Sequence, residues 1–68
     1  MSAEGIGKKV RAQRKLLGMT QAELALVSGT GVRFISDLEN GKESCELGKT
    51  LKVLKNLGIE LLLGTQGQ

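Results

Sequence analysis

The sequence predicts a small all-α domain of four helices that ends in one short strand. Three observations support this prediction. Apolar residues recur at helical spacing along most of the chain, glycines stand where each helix should end, and an apolar run lies between two glycines near the C-terminus. The 68 residues form one domain, and a chain of this size buries only about 60% of its unfolded surface, so its core is thin.

The first helix is expected over residues 6–17, where Ile6 and Val10 begin an apolar pattern with helical spacing. Gly18 would end this helix in the position that follows the C-cap. Residues 1–5 contain a glycine and are expected to form a flexible N-terminus.

The second helix begins with a capping box. The hydroxyl of Thr20 can accept a hydrogen bond from the amide of Glu23, whose side chain can reach back to the cap. This helix is expected over residues 21–27, with Leu24 and Ala25 facing inward.

A third helix follows a tight turn at Gly29, a position that needs a positive φ angle. Thr30 is expected to cap this helix, which would span residues 31–39. Its buried stripe would consist of Phe34, Ile35 and Leu38.

A fourth helix is expected over residues 47–56, and one of its faces would be made of Leu47, Leu51 and Leu54. The helical unit as a whole would cover residues 6–58. Residues 64–68 would form a frayed tail.

The segment 59–63 is apolar, short and flanked by glycines, which favours a strand over another helix. Because the rest of the chain is predicted to be helical, this strand has no partner within the chain, and an unpaired apolar edge tends to associate. Pairing with the same segment of a second copy would give an antiparallel ribbon and a homodimer. The alternative is an apolar tail folded onto its own helices. The dimerisation residues would be Ile59, Leu61, Leu62 and Leu63.

Composition excludes several functional classes. The chain has no histidine and one cysteine, Cys45, so zinc sites, Cys–His nucleophiles and disulfide frameworks are not expected. Phe34 is the single aromatic residue, whereas single-strand nucleic-acid modules stack bases on several rings. No apolar run is long enough for a membrane span. These features predict a cytoplasmic binding module without metal or cofactor rather than an enzyme.

Charge is distributed unevenly along the chain, whose net charge is +3. Residues 1–20 hold five basic side chains and one acidic one, whereas residues 21–46 hold two basic and five acidic side chains. A basic N-terminal third favours a polyanionic partner such as nucleic acid. A solvated helix face is the alternative, and charge alone does not separate the two.

Residues 20–39 match a helix-turn-helix at the positions where packing restricts the residue type. The apolar wedge between its two helices would be Leu24, Ile35 and Leu38, and Ala25 is small where the helices cross. Two short helices joined by such a turn can project the second one beyond the body of the domain.

The block Thr-Gln-Ala-Glu-Leu-Ala at residues 20–25 and the block Ile-Ser-Asp-Leu-Glu-Asn-Gly-Lys at residues 35–42 resemble the lambda-repressor-like, Xre-type helix-turn-helix family. The resemblance covers residues 6–58. The ending LGIELLLG is similar to that of the HipB-type antitoxin branch, whose members end in a dimerising strand. Ser28 departs from the family pattern, which usually has an apolar residue there, and Phe34 is bulkier than usual.

The resemblance implies DNA contacts for individual residues. Gln21 would clamp a phosphate together with free backbone N–H groups, although a polar residue is also ordinary in a first helical turn. Arg33 would either bond guanine through its fork or hold a phosphate. Asn40 and Lys42 would contact phosphates. The base-reading surface would consist of Gly31, Val32, Arg33 and Ser36.

Two charged positions carry open alternatives. Arg14 on the first helix would pair with Glu39, either to aim the guanidinium at a phosphate or as a purely structural salt bridge. Asp37 would either accept a hydrogen bond from cytosine N4 or repel phosphate.

The function that the resemblance implies is that of a dimeric repressor of operator DNA. It would autoregulate a toxin–antitoxin operon as a HipB-like antitoxin, with a HipA-like toxin kinase as its possible partner. One alternative is a stand-alone or phage-type Xre regulator without a toxin. The other is a protein-interaction module that has lost DNA binding, which the acidic middle segment favours.

Overall fold

The computed structural model describes residues 2–61 and contains four helices in that range, with no strand among them. The helices are α1 (Ala3–Leu16), α2 (Gln21–Ser28), α3 (Val32–Glu39) and α4 (Leu47–Asn56). The all-α fold predicted from the sequence is therefore confirmed. No helix in the described range is both long enough and apolar enough to cross a bilayer.

The first helix begins earlier than the sequence analysis predicts. Ser2 is its N-cap, and the Ser2 hydroxyl accepts a hydrogen bond from the amide of Gly5 at 3.0 Å. Glu4 lies in the first turn, where a negative side chain favours the helix dipole. The expectation of a flexible segment over residues 1–5 is therefore corrected, because residues 3–5 are helical and residue 2 caps them. The serine cap was a signal of this start in the sequence.

Gly7 has a packing role that its position in the sequence does not reveal. It is buried where α1 meets the end of α3. A Cβ atom there would lie 2.8 Å from the carbonyl oxygen of Glu39 and closer still to that of Leu38. Glycine thus lets the backbone of α1 approach the last turn of α3.

The second helix begins as predicted and ends at Ser28, one residue later than predicted. The Thr20 hydroxyl accepts from the Glu23 amide at 3.0 Å, and the Glu23 carboxylate accepts from the Thr20 amide at 2.8 Å. The helix is followed by Gly29, whose φ angle of 68° is left-handed. A residue with a Cβ atom would be strained in this turn.

The start of α3 differs from the prediction. Its N-cap is Gly31, which offers no side-chain hydrogen bond, so the predicted Thr30 cap is wrong. The hydroxyls of Thr30 and Ser28 are instead buried, and neither has a hydrogen-bond partner among the described residues.

The core lies between the four helices, because α1 and α2 both pack against α3, and α2 also packs against α4. The predicted inward positions of the helix-turn-helix are confirmed, whereas Phe34 is only partly buried against the core. The buried apolar residues are Val10, Leu24, Ala25, Ile35, Leu38, Val53, Leu54 and Leu57.

The fourth helix turns a different face to the core than the sequence analysis predicts. Leu47 is 67% exposed and Leu51 is 44% exposed. Thr50 is buried instead of these two leucines. Its buried hydroxyl has a hydrogen-bond partner, because it donates to the carbonyl of Glu46 at 2.9 Å. Burial of Leu57, just past the helix, fixes the same orientation. The buried face of α4 consists of Thr50, Val53 and Leu54.

After α4 the chain turns back along α1. The side-chain amide of Gln13 donates to the carbonyl of Leu57 at 3.1 Å. Ile59 and Leu61 then pack against the core and line a groove of about 290 Å³ with Ile6.

The predicted dimerisation strand lies only partly within the described residues. Residues 59–61 form no strand within this chain. Leu62 and Leu63, as well as the predicted tail at residues 64–68, lie outside the described range.

Candidate nucleic-acid interface

One side of α3 is open to solvent. Val32 and Arg33 in its first turn are exposed, as is Asn40 just past its end, whereas Ser36 and Asp37 are half-buried. The opposite side is buried, as the helical period of 3.6 residues requires of an amphipathic helix. The sequence-predicted contact residues on this helix therefore share one surface. We call it the α3 face, and it comprises Gly31, Val32, Arg33, Ser36, Asp37 and Asn40.

A buried ion pair fastens the end of α3 to α1. The Arg14 Nε donates to one Glu39 carboxylate oxygen at 2.6 Å, and Nη2 donates to the other at 3.0 Å. The Arg14 side chain is 9% exposed and that of Glu39 is 3% exposed. Arg14 Nη1 donates to the carbonyl of Met19 at 2.8 Å. The Arg14–Glu39 pair expected from the sequence is thus present, and each guanidinium nitrogen is engaged within the protein.

The environment of this pair keeps both groups charged. Burial works against ionisation of Glu39, but the hydrogen bonds from Arg14 and Gln21 and the positive charges of Arg14 and Arg11 outweigh it, so the pKa of Glu39 lies below its usual range. The hydrogen bond to Glu39 raises the pKa of Arg14 despite burial. A charged, bidentate pair of this kind has a strongly defined geometry.

Gln21 joins the second helix to the same carboxylate. Its side-chain nitrogen donates to Glu39 at 3.2 Å, and this uses one of its two N–H groups. Gln21 is the first residue of α2 and is half-buried. The amide therefore stands at the start of α2, next to the α3 face, in an orientation set by Glu39.

The acidic side chains of residues 21–46 are largely engaged with partners. Lys42 Nζ lies 3.4 Å from Asp37, and Lys49 Nζ lies 3.7 Å from Glu46. Glu39 is paired with Arg14, and Glu23 caps its own helix. Three of the five carboxylates in this segment are therefore paired with a cation, which reduces the repulsion of phosphate that the sequence alone suggests.

Lys49 is a cation near α3 that no pattern in the sequence marks as part of the site. Its Nζ lies 5.9 Å from the centre of the Phe34 ring, within the range of a cation–π interaction. Phe34 belongs to the first turn of α3, whereas Lys49 belongs to the first turn of α4. No local pattern links two positions fifteen residues apart in sequence, so only the packing of the helices reveals this proximity.

The groove beside residues 59–61 is lined by none of the residues of the α3 face. Among residues 2–61 no cluster of three or more histidine, cysteine or acidic side chains is arranged to hold a metal ion. The α3 face offers the hydrogen-bonding side chains of Ser36 and Asn40, the cation of Arg33, the carboxylate of Asp37 and the apolar side chain of Val32.

Comparison with known proteins identifies the class of this molecule. Residues 10–63 match the helix-turn-helix family. The chain is 46% identical over 63 residues to the uncharacterized HTH-type transcriptional regulator y4mF of Sinorhizobium fredii, and the alignment covers 93% of this chain and 83% of that protein. It also matches HipB in the solved HipA–HipB–O2–O3 complex, with a TM-score of 0.85, 27% identity and coverage of 97% of this chain and 93% of that one. The chain belongs to the helix-turn-helix family, as a DNA-binding regulator of Xre type with a HipB-like fold.

Proposed function

We propose that the protein is a dimeric transcriptional repressor that recognises its operator through the α3 face. The observation that carries this proposal is the contrast between the two sides of α3. One side is free, and the other is held by the core and by the buried Arg14–Glu39 pair. A helix fixed in position but with free side chains meets the requirement for reading bases.

The dimensions of α3 suit the major groove of DNA. With its side chains an α-helix is about 10–12 Å across, which fits the groove width of about 12 Å, and the eight residues of α3 extend for about 12 Å along the groove. In this arrangement Arg33 would bond guanine or hold a phosphate, and Val32 would pack on a thymine methyl group. Ser36 would donate to a base or a phosphate, and Asn40 would donate to a phosphate.

Gln21 and Arg14 would have complementary roles. The second N–H group of the Gln21 amide would donate to a phosphate, while Glu39 holds the first. Because the Arg14 guanidinium is buried and occupied, we assign it the positioning of Glu39 and Gln21 in place of a direct phosphate contact. Lys42 would reach a phosphate beyond the end of α3, and its bond to Asp37 would limit the repulsion by that carboxylate.

The dimer would form through residues 59–63. Ile59 and Leu61 pack on their own domain, and because strands pair through the backbone N–H and C=O groups along their edges, the same segment would still be able to pair with a second copy. Two α3 faces related by a twofold axis would then meet half-sites about 34 Å apart on one side of the duplex. A chain that ends after Leu61 keeps both packed side chains and should be monomeric by light scattering. A truncated chain that remains a dimer would refute the ribbon.

A role as antitoxin is supported by the likeness to HipB, which is solved in a complex with HipA. We propose that this protein represses its own operon and binds a HipA-like kinase. The likeness to y4mF, which is named as a transcriptional regulator, favours a stand-alone regulator as the second candidate. Purification together with the product of the adjacent gene distinguishes them, because a stable complex with a kinase-like protein is expected only of the antitoxin.

The experiment that tests DNA recognition is the selection of bound duplexes from a random pool. A palindromic sequence with half-sites one helical turn apart is the expected result. The selected duplex is then titrated at two salt concentrations, where phosphate neutralisation makes log K fall steeply with log salt. Enrichment of no sequence, together with no binding at low salt, would overturn the proposed function in favour of a protein-interaction module.

A further inference from the structure

We infer that Lys49 is a phosphate-binding residue on the side of α3 opposite to Gln21, so that the two residues engage the two strands that border the major groove. This inference rests on the proposed DNA binding. It starts from the Lys49 ammonium, which stands over the Phe34 ring at 5.9 Å.

The position of this cation follows from the turn of α3. With 100° between successive residues, the exposed centre of the helix lies near Arg33. Glu39, which holds Gln21, lies on one flank of the α3 face, and Phe34, which carries Lys49, lies on the other. The free side of the helix is therefore bordered by a hydrogen-bond donor on one flank and by a cation on the other.

A helix in the major groove fills most of its width. With its side chains an α-helix is about 10–12 Å across, and the groove is about 12 Å wide, so the flanks of the helix face the two sugar–phosphate backbones. A donor on each flank thus meets a different strand. Gln21 would fix one strand, and Lys49 would fix the other beside the first turn of α3, the part of a recognition helix that enters the groove.

Two contacts hold the Lys49 ammonium near this position before DNA binds. The face of the Phe34 ring attracts the ammonium, and the Glu46 carboxylate lies 3.7 Å from it. The Lys49 side chain is half exposed, so its remaining N–H groups can donate to an additional acceptor. Glu46 competes with phosphate for the same ammonium, and it therefore weakens the contact that Lys49 can make.

The test compares Lys49→Met with Lys55→Met, a matched control on the same helix that removes the same charge from an exposed lysine. Binding to the selected duplex and to a scrambled duplex of equal length is measured by fluorescence anisotropy over a range of salt concentrations. For Lys49→Met the slope of log K against log salt should become shallower by about 0.9 per protomer, with an affinity loss of about eightfold per protomer at 0.1 M salt on both duplexes. Lys55→Met should leave the slope unchanged.

A Glu46→Gln variant tests the same contact in the opposite direction. It frees the Lys49 ammonium, so affinity should rise for both duplexes, and the gain should be smaller when Lys49 is already methionine. Lys49→Arg should retain binding because it keeps the cation. Circular dichroism and melting curves of each variant confirm that α3 and α4 remain folded.

Several results would overturn the inference. An unchanged slope in Lys49→Met would show that the ammonium does not contact phosphate. An equal change of slope in Lys55→Met would show that Lys49 acts only through long-range attraction. A loss confined to the selected duplex would show that Lys49 shapes α3 through Phe34 instead. If the unaltered protein binds neither duplex, the proposed function fails and this inference falls with it, whereas strong binding with an unaltered slope removes the inference alone.

Discussion

Replacing Glu39 with glutamine should destabilise the fold far more than the loss of an ordinary surface charge. Glutamine keeps the size of the side chain and an acceptor oxygen, but it leaves the Arg14 guanidinium without a counter-charge in a site where the two side chains are 9% and 3% exposed. Removal of one partner from a buried pair costs about 3–5 kcal/mol. A domain of this length has a total stability of roughly 3–10 kcal/mol.

The size of the effect can be measured by urea unfolding followed with far-UV circular dichroism at pH 7. Protein concentration is held fixed, because dimerisation would couple stability to concentration. Thermal unfolding followed by the same signal gives a second readout. At about 4–8 °C per kcal/mol for a domain of this size, the melting temperature should fall by at least roughly 12 °C. The control is Glu43→Gln, an exposed carboxylate that should change stability by no more than about 0.5 kcal/mol.

A double variant, Arg14→Met with Glu39→Leu, distinguishes the loss of the whole ion pair from the loss of one partner that leaves the other charge buried. An apolar pair avoids the desolvation of two charges, so the double variant should recover most of the stability that either single variant loses. A loss below about 1 kcal/mol in Glu39→Gln, as for an exposed pair, would refute the reasoning. So would a double variant whose loss equals the sum of the two single losses.

The same pair predicts how stability depends on pH. The folded-state pKa of Glu39 lies below its ordinary value of 4.5, so the stabilisation is complete above the unfolded pKa and is lost as pH falls through the folded one. The difference in unfolding free energy between the unaltered protein and Glu39→Gln should therefore be largest at pH 7 and should narrow at acidic pH. A difference that stays constant between pH 7 and pH 3 would contradict the assignment.

Three further predictions concern recognition and packing. Arg33→Ala should weaken binding to the selected duplex by about 1–3 kcal/mol and leave a scrambled duplex unaffected, whereas an equal loss on both would assign Arg33 to phosphate. Ser28→Ala should raise the melting temperature by removing a buried hydroxyl without a partner among the described residues, a gain of about 1 kcal/mol, and a lower melting temperature would indicate a bound water. Gly7→Ala should cost more than about 1 kcal/mol in thermal unfolding because its Cβ would meet the α3 backbone, while Gly48→Ala in open helix should gain about 0.5–1 kcal/mol; similar effects at both sites would contradict the close approach.

Local patterns in the sequence sufficed for the second helix and for the turn. The Thr20–Glu23 capping box and the glycine at residue 29 both satisfy backbone requirements within a few residues, so their structure does not depend on the rest of the chain. The N-cap predicted for α3 was wrong, because the Thr30 hydroxyl is buried and Gly31 occupies the N-cap position.

The face of the fourth helix could not be determined from the sequence. Two apolar stripes run along it, and they share Leu54. Which stripe is buried depends on the neighbouring helices and on whether the hydroxyl of Thr50 finds an acceptor, which it does at its own Glu46 carbonyl. Hydrophobic periodicity gives the orientation of a helix only where a single stripe is available.

The sequence by itself determined the class of the protein and the residues of the α3 face, because capping, turn and wedge positions are restricted by local geometry and by the helical period. The tertiary structure decided which contacts the polar and charged residues make. It buries the Arg14–Glu39 pair that the sequence already indicates, ties Gln21 to the same carboxylate, and brings Lys49 to the first turn of α3. Such roles depend on distances and burial between residues far apart in the chain, and electrostatic energies change several-fold with both.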